Sequence, residues 1–91
     1  MDIYSLAAIQ IIKEQQAVIG PIAVDQAKRV PGLSVDTMGD VKIIGDGKET
    51  IAKLVGQYEK FFGEASVQVC KDAIKEVKPP IPNDELPEIL K

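Results

Sequence analysis

The sequence contains no histidine and no tryptophan, and its 91 residues include one cysteine, two phenylalanines and two tyrosines. The absence of histidine excludes imidazole acid–base chemistry and histidine metal ligands. A single cysteine, Cys70, cannot close an internal disulfide, so a disulfide scaffold is excluded as well. With so few aromatic side chains, we expect a core built from isoleucine, valine, leucine and alanine.

The chain also lacks an excess of basic residues. It has 11 lysines and arginines against 14 aspartates and glutamates, for a net charge of −3. Proteins that bind the phosphate backbone usually present a basic face, so we expect no nucleic-acid partner. Asp2 stands where a secretory signal would have its basic leader, and Lys13 and Glu14 interrupt the apolar run that follows. No stretch reaches the roughly 18 apolar residues of a membrane span, so we expect no membrane span and a cytoplasmic location.

The length and the hydrophobic content of 45% predict one folded domain. Four of the six prolines fall in the last thirteen residues, where they interrupt regular structure. We therefore predict a helical domain over 1–78 and a proline-rich, acidic C-terminal tail over 79–91.

The first half of the chain predicts two helices and the start of a ribbon. Asp2 is a suitable N-cap for a helix over 3–19, which Gly20-Pro21 ends. A second helix is predicted over 21–30, until Pro31-Gly32. Apolar and polar residues then alternate through 33–44, which predicts a β-hairpin that turns at 36–40.

The second half predicts two more helices. Asp46 can cap a helix that ends at Gly63, and a fourth helix is predicted over 64–78, until Pro79. The apolar residues of the third helix follow the i, i+3, i+4, i+7 spacing, and we expect its Phe61–Phe62 pair to mark the centre of the core. The fold class is therefore mainly α (α+β): a single domain of two helix–Gly–helix units joined by a short β-hairpin.

A shift of 43 residues aligns the two units. Gly20 falls on Gly63, and the apolar pair before the first glycine falls on Phe61–Phe62. Both glycines are expected to adopt conformations that a side chain resists. Because 43 residues are close to twelve helical turns of about 3.6 residues, any two amphipathic helices would match at this shift, and a true duplication stays open.

Motifs with chemistry are absent or incomplete. The run 45–50 resembles a phosphate loop, but Lys42 and Glu49 occupy two of its required positions. A calcium loop starting at Asp36 would place Met38 at a ligand position. Cys70 lies beside the apolar stripe of the fourth helix and has no nearby histidine, which favours a buried structural thiol. We identify no catalytic, cofactor-binding or metal-binding residues and expect no enzymatic activity.

The first helix carries a wide apolar strip that the short second helix cannot span. Such a strip predicts association, and we expect a homodimer that pairs first helices about a two-fold axis. Alternatively, apolar residues of the tail fold back over the same strip. The candidate interaction residues are Ile3, Leu6, Ile9 and Ile12 of the strip with Leu86, Ile89 and Leu90 of the tail.

The segments IIKEQQAVIGPIAVDQAK and FFGEASVQVCKDAI resemble the two helix pairs of small "GPIA" modules found beside kinase and response-regulator domains of bacterial signalling proteins. The resemblance extends over about Ile9 to Val77. It implies a regulatory module without an active site.

Taken together, these features predict a non-enzymatic protein–protein interaction or regulatory module of prokaryotic signalling. The alternative is a domain that binds a small apolar ligand, such as a lipid or cofactor, inside the aliphatic core. A third possibility, a winged-helix nucleic-acid binder, requires four basic residues to converge on one face: Lys28, Arg29, Lys42 and Lys48.

Overall fold

The computed structural model describes residues 2–36 and 40–91. Its elements are α1 (Ile3–Ile19), α2 (Ile22–Ala27), β1 (Leu33–Val35), β2 (Val41–Ile43), α3 (Gly47–Phe62), α4 (Glu64–Lys75) and two single-turn 3-10 helices, Asn83–Glu85 and Glu88–Leu90. Over these residues the chain forms one globule that is 66% helical, with four α-helices and a two-stranded antiparallel hairpin, which confirms the predicted fold class. Within the described ranges, no helix combines the length and apolar character needed to cross a membrane.

Both long helices begin at the predicted aspartate caps. Asp2 Oδ1 accepts a hydrogen bond of 2.9 Å from Ser5 N, and Asp46 Oδ1 accepts one of the same length from Glu49 N. Each carboxylate thereby pairs an amide group that the first turn of a helix leaves free. The hydrogen bond from Ser5 N is also the main reason why the pKa of Asp2 lies below its ordinary value.

The two glycine corners have nearly the same backbone geometry. Gly20 has φ 78° and ψ −159°, and Gly63 has φ 80° and ψ −170°. Each N–H closes the last turn of the preceding helix, on Gln16 O at 2.9 Å and on Glu59 O at 2.8 Å respectively. The predicted resistance to a side chain is confirmed, because positive φ with ψ near 180° is a region that essentially only glycine enters.

The ends of α2 and α4 differ from the prediction. After Ala27 the chain tightens into three-residue turns, with Val30 N donating to Ala27 O, so α2 stops short of the predicted residue 30. In the same way, Val77 N donates to Ile74 O, and α4 ends at Lys75 instead of at 78. In both cases a proline follows closely and disfavours helical geometry in the residue before it.

The centre of the core lies one turn earlier in α3 than predicted. Tyr58 is fully buried, whereas Phe61 is 50% exposed and Phe62 only partly buried, so the prediction for the Phe61–Phe62 pair is wrong. The apolar spacing continues to the last turn of α3, but Phe61 lies at the end of this helix with half of its surface exposed, and Lys60 Nζ lies 5.5 Å from the centroid of its ring. The largest fully buried side chains are Tyr58, Ile11, Ile51, Leu54, Gln15, Val55 and Cys70.

Each of the two helix–Gly–helix units donates one buried side-chain hydrogen bond to the backbone of the other. Gln15 Nε2, on α1, donates to Ser66 O of α4 at 2.9 Å, and Tyr58 Oη, on α3, donates to Ala23 O of α2 at 2.7 Å. The 43-residue shift places Gln15 on Tyr58 and Ala23 on Ser66, so each unit makes the same contact to the other. This exchange is the one expected from an approximate two-fold axis between the units.

The hairpin connects the two units. β1 and β2 pair in antiparallel register, with Ser34 opposite Lys42, and Leu33 and Val41 are buried on the core side. Of the predicted turn over 36–40, residues 37–39 lie outside the described part of the chain.

The C-terminal segment packs against the helices. Its last 3-10 turn contacts α3 and α4, where Leu90 is buried. Tyr4 Oη donates to the carboxylate of Glu85 at 2.6 Å, and Lys48 Nζ donates to Asp84 O at 3.0 Å.

Candidate functional site

A pocket of about 240 Å³ lies where the C-terminal end of α1 meets α4. The apolar side chains of Val18, Ile19, Phe62 and Val69 make up most of its wall. The remaining lining residues are Gln15, Ala65 and Ser66. The pocket therefore sits beside both glycine corners, and none of these lining residues carries an ionisable side chain.

Gln15, one of the lining residues, has a buried polar atom without a hydrogen-bond partner. Its Nε2 donates to Ser66 O at 2.9 Å and approaches Cys70 Sγ at 3.3 Å. Because a backbone carbonyl can only accept, this contact fixes the orientation of the amide and turns Oε1 the other way. Oε1 is buried without a hydrogen-bond partner. Leaving a buried acceptor unpaired typically costs about 1–3 kcal/mol.

The two units differ at the position of Gln15. In the second unit the equivalent position holds Tyr58, whose ring fills the interior and whose hydroxyl is paired with Ala23 O. In the first unit the thinner side chain of Gln15 makes the same backbone contact. The amide also carries a second polar atom, which a phenol lacks, and that atom is left unpaired.

Exposed apolar side chains border the pocket. Val18, which lines it, is 64% exposed. The Phe61 ring lies 6.5 Å from that of Phe62, centroid to centroid, and is itself half exposed. We call the surface formed by Val18, Ile19, Phe61, Phe62 and the pocket the corner face.

Cys70 is fully buried beside Gln15, as the sequence predicts. Burial raises the pKa of its thiol to about 11, and the hydrogen bond from Gln15 opposes this only in part. A thiol with so high a pKa is a poor nucleophile at neutral pH. Cys70 is therefore part of the packing behind the pocket.

The predicted interaction residues do not form one exposed surface. In the α1 strip, Ile3, Leu6 and Ile9 are partly buried, whereas Ile12 belongs to the core. In the tail, Leu86 and Ile89 are partly buried against the core and Leu90 is buried. Burial removes Ile12 and Leu90 from any accessible surface. The pairing of α1 helices in a homodimer stays a prediction.

A second hollow, beside the hairpin, is polar. Ser34, Asp36, Asp40 and Lys42 line it, and Asp36 Oδ1 accepts from Asp40 N at 2.9 Å, which ties the two ends of the turn together. In the described parts of the chain, no group of three or more acidic or cysteine side chains is placed to hold a metal ion. A winged helix would need four basic residues on one face. One of these residues, Lys48, donates a hydrogen bond to Asp84 O of the C-terminal segment.

The chain matches no protein-family model, no curated protein and no solved structure in the comparisons made with each.

Gln15 was not predicted from the sequence as a site residue. Gln15 lies in the polar run 13–16, which is typical of a solvent-facing part of a helix. The available signal was the 43-residue shift, which places Gln15 on Tyr58, a member of the apolar stripe of α3. A polar residue at the equivalent of a core position is a candidate for a buried hydrogen bond.

Proposed function

We propose that the protein is a non-enzymatic protein–protein interaction module and that its partner docks on the corner face. The observation that carries this proposal is the exposure of Val18 on the wall of an apolar pocket and of Phe61 beside Phe62, which also lines that pocket. Large apolar side chains grouped around a concave site are typical of an interaction surface.

The character of the pocket supports binding over catalysis. Its lining lacks an ionisable group, and the nearest thiol, that of Cys70, is buried with a raised pKa. General acid–base or nucleophilic catalysis needs such a group within reach of the substrate.

The setting in prokaryotic signalling, with a regulatory role, is the part of the proposal that rests on the resemblance to GPIA modules. Self-association through α1 is compatible with it, because the strip of Ile3, Leu6 and Ile9 is separate from the residues that line the pocket. Analytical ultracentrifugation of the full chain tests this part, since a homodimer sediments as twice the 9.9 kDa mass.

The second candidate function is binding of a small apolar ligand. It is favoured by the mainly apolar pocket wall and by the unpaired Gln15 Oε1 behind it. Native mass spectrometry of protein purified from its source separates the two functions, because a retained ligand adds its mass to that of the chain.

The proposed docking surface can be tested with displayed random peptides selected on the full-length protein. We expect the double variant Val18→Lys, Phe61→Lys to lose at least about tenfold in affinity for the selected peptides, because it places two charges in an apolar contact. Both positions lie near helix C-termini, where lysine suits the helix dipole, so the fold should persist.

Ile44→Lys is the matched control. Ile44 is 72% exposed but follows β2 and does not line the pocket, so this variant should bind the peptides as the unchanged protein does. Failure to select any peptide, or equal binding by the double variant, would contradict the proposed function.

A further inference from the structure

We propose that the surface beneath segment 83–91 is a docking site for an acidic, proline-containing peptide of a partner protein, and that this segment occupies the site until such a peptide displaces it. We call this surface the tail site. It consists of Tyr4 of α1, Gly47 and Lys48 of α3, and the faces of α3 and α4 that contact the turn Glu88–Leu90. Tyr4 and the corner face lie at opposite ends of α1, so the tail site is a second surface, beyond the one in the proposed function.

Side chains hold the segment on the helices. Every backbone–backbone hydrogen bond that the described chain makes with residues 79–91 stays within those residues. The helices contribute Tyr4 Oη, which lies 2.6 Å from Glu85 Oε2 and 2.9 Å from Glu85 O, and Lys48 Nζ, which lies 3.0 Å from Asp84 O. The segment therefore contacts the helices as a short bound peptide does, through a few anchors at fixed spacing.

The helices themselves fix the two donors of the tail site. An added Cβ at Gly47 would collide with the Tyr4 ring, so the ring lies directly on the first turn of α3. Only glycine leaves room for so close an approach. Lys48 is the next residue of the same turn. The phenol and the ammonium group therefore meet one stretch of the segment, where they match a carboxylate and the carbonyl group before it.

The bound segment shows which residues an occupant needs. Glu85 supplies the carboxylate. The apolar anchors that follow it are buried or partly buried: Leu86, Pro87, Ile89 and Leu90. The side chain of Glu88 is 91% exposed, so this position is free to vary. The pattern is therefore an acidic residue, Leu-Pro, one variable residue and two apolar residues.

These contacts do not depend on the covalent link to the rest of the chain. No hydrogen bond among the described residues connects 79–82 to a helix. Ile81 packs against the core, whereas Pro79, Pro80 and Pro82 are exposed. What the link supplies is a high local concentration, on the order of millimolar for a short linker. The resident segment therefore competes with a partner peptide, and its release strengthens partner binding.

The experiment measures, by fluorescence anisotropy, how full-length proteins bind a labelled peptide with the sequence of residues 79–91. In the variant Leu90→Asp, a charge replaces the buried anchor of the resident segment and frees the tail site. We expect this variant to bind the peptide at least about tenfold more tightly than the unchanged protein does. Glu88→Gln, at the exposed position of the same turn, is the matched control and should bind as the unchanged protein does. Equal affinities of Leu90→Asp and the unchanged protein, or no binding by the variant, would overturn the proposal.

A second variant keeps the test decisive should Leu90→Asp fail to fold by circular dichroism. Glu85→Lys, at an exposed position, places a second cation near Lys48 and removes the carboxylate that Tyr4 contacts. It should likewise bind the labelled peptide more tightly than the unchanged protein. A labelled peptide that itself carries Leu90→Asp should bind neither variant, and its binding would overturn the assigned anchor.

A double-mutant cycle locates the bound peptide at Tyr4. In the Leu90→Asp protein, the added change Tyr4→Phe should weaken peptide binding about tenfold, and so should Glu85→Ala in the peptide. Because both changes remove the same hydrogen bond, the two together should cost little more than either alone. Fully additive losses would overturn this contact.

The remaining outcomes separate the tail site from a second copy and from the corner face. A dimer of the unchanged protein in analytical ultracentrifugation that Leu90→Asp abolishes would assign the site to the segment of a second copy and overturn the separate partner. The corner-face variant Val18→Lys, Phe61→Lys, combined with Leu90→Asp, should leave binding of the labelled peptide unchanged. Loss of binding in that combination would place the peptide on the corner face and overturn the tail site.

Discussion

Gln15 and Tyr58 show how one side chain alters the interior of an otherwise repeated arrangement. Both donate a hydrogen bond to the second helix of the opposite unit, on Ser66 O and Ala23 O. The phenol is satisfied by one bond, whereas the amide keeps an unpaired oxygen and belongs to a residue that lines the pocket. The candidate site therefore lies at a position where the two units differ.

The two tyrosines are expected to titrate abnormally. Burial, aided by the hydrogen bond to Glu85, raises the pKa of Tyr4 to about 12 from an ordinary value of 10.0. Burial raises the pKa of Tyr58 further, and the buried Cys70 adds to this shift. Since the folded state binds these protons more tightly than the unfolded chain, their contribution to stability is present below pH 10.0 and is lost as the pH rises through 12.

Tyrosinate absorbance measures this directly, because the chain has no tryptophan to obscure it. In the folded protein we expect one phenol to ionise near pH 12 and the second only on unfolding. Tyr4→Phe should remove the first step, and in concentrated urea both phenols should titrate near pH 10.0. Ionisation of both near that value in the folded protein would show that neither phenol is held as described.

At the scale of elements, Gly56 inside α3 and Gly63 at its corner should respond in opposite ways to substitution by alanine. Gly56 lies inside α3, where an added Cβ would meet no atom within 4 Å. Gly63 has equally free surroundings, but its φ of 80° lies where side chains are strained. Any difference between alanine substitutions at the two positions therefore reports backbone conformation and not crowding.

We expect Gly56→Ala to stabilise the protein by about 0.5–1 kcal/mol, because alanine loses less conformational entropy in a helix. Gly63→Ala should destabilise it by about 1–3 kcal/mol, the usual cost of a side chain in a region reserved for glycine. Urea unfolding followed by circular dichroism measures both changes. A neutral Gly63→Ala would mean that the corner relaxes without cost.

Local chemistry explains which elements the sequence predicts well. The caps at Asp2 and Asp46 and the corners at Gly20 and Gly63 depend on a few neighbouring residues, and each was predictable. The exposure of Phe61 was not, because the apolar spacing of a helix does not reveal where its covering neighbours end. Gln15 was missed for the related reason that its burial depends on α4, which is distant in sequence.

At the scale of the whole molecule, each unit is completed by the other. α1 packs mainly on α4, and α3 also contacts both α1 and α2, so the core is shared between the two units although the helices within each unit pack on one another as well. Ile11 and Leu54, which the 43-residue shift aligns, are both fully buried in this shared core.

Two separate peptides covering 1–36 and 40–91 should therefore assemble into the folded arrangement. We expect each peptide alone to be weakly helical by circular dichroism and the mixture to gain helix, since the shared core forms only when both are present. Ile11→Asp in the first peptide should abolish the gain, whereas Lys13→Asp, at an exposed position, should preserve it. A fully helical single peptide with no gain on mixing would contradict the shared core.

The packing of α1 on α4 also determines when the core can close during synthesis. α1 is made before its main partner, α4, which follows only after the hairpin and α3. Until then the part of α1 that packs on α4 is uncovered. Contacts between segments so far apart in the chain form late and slow the closing of a core. The nascent first half therefore exposes apolar surface until translation has passed α4.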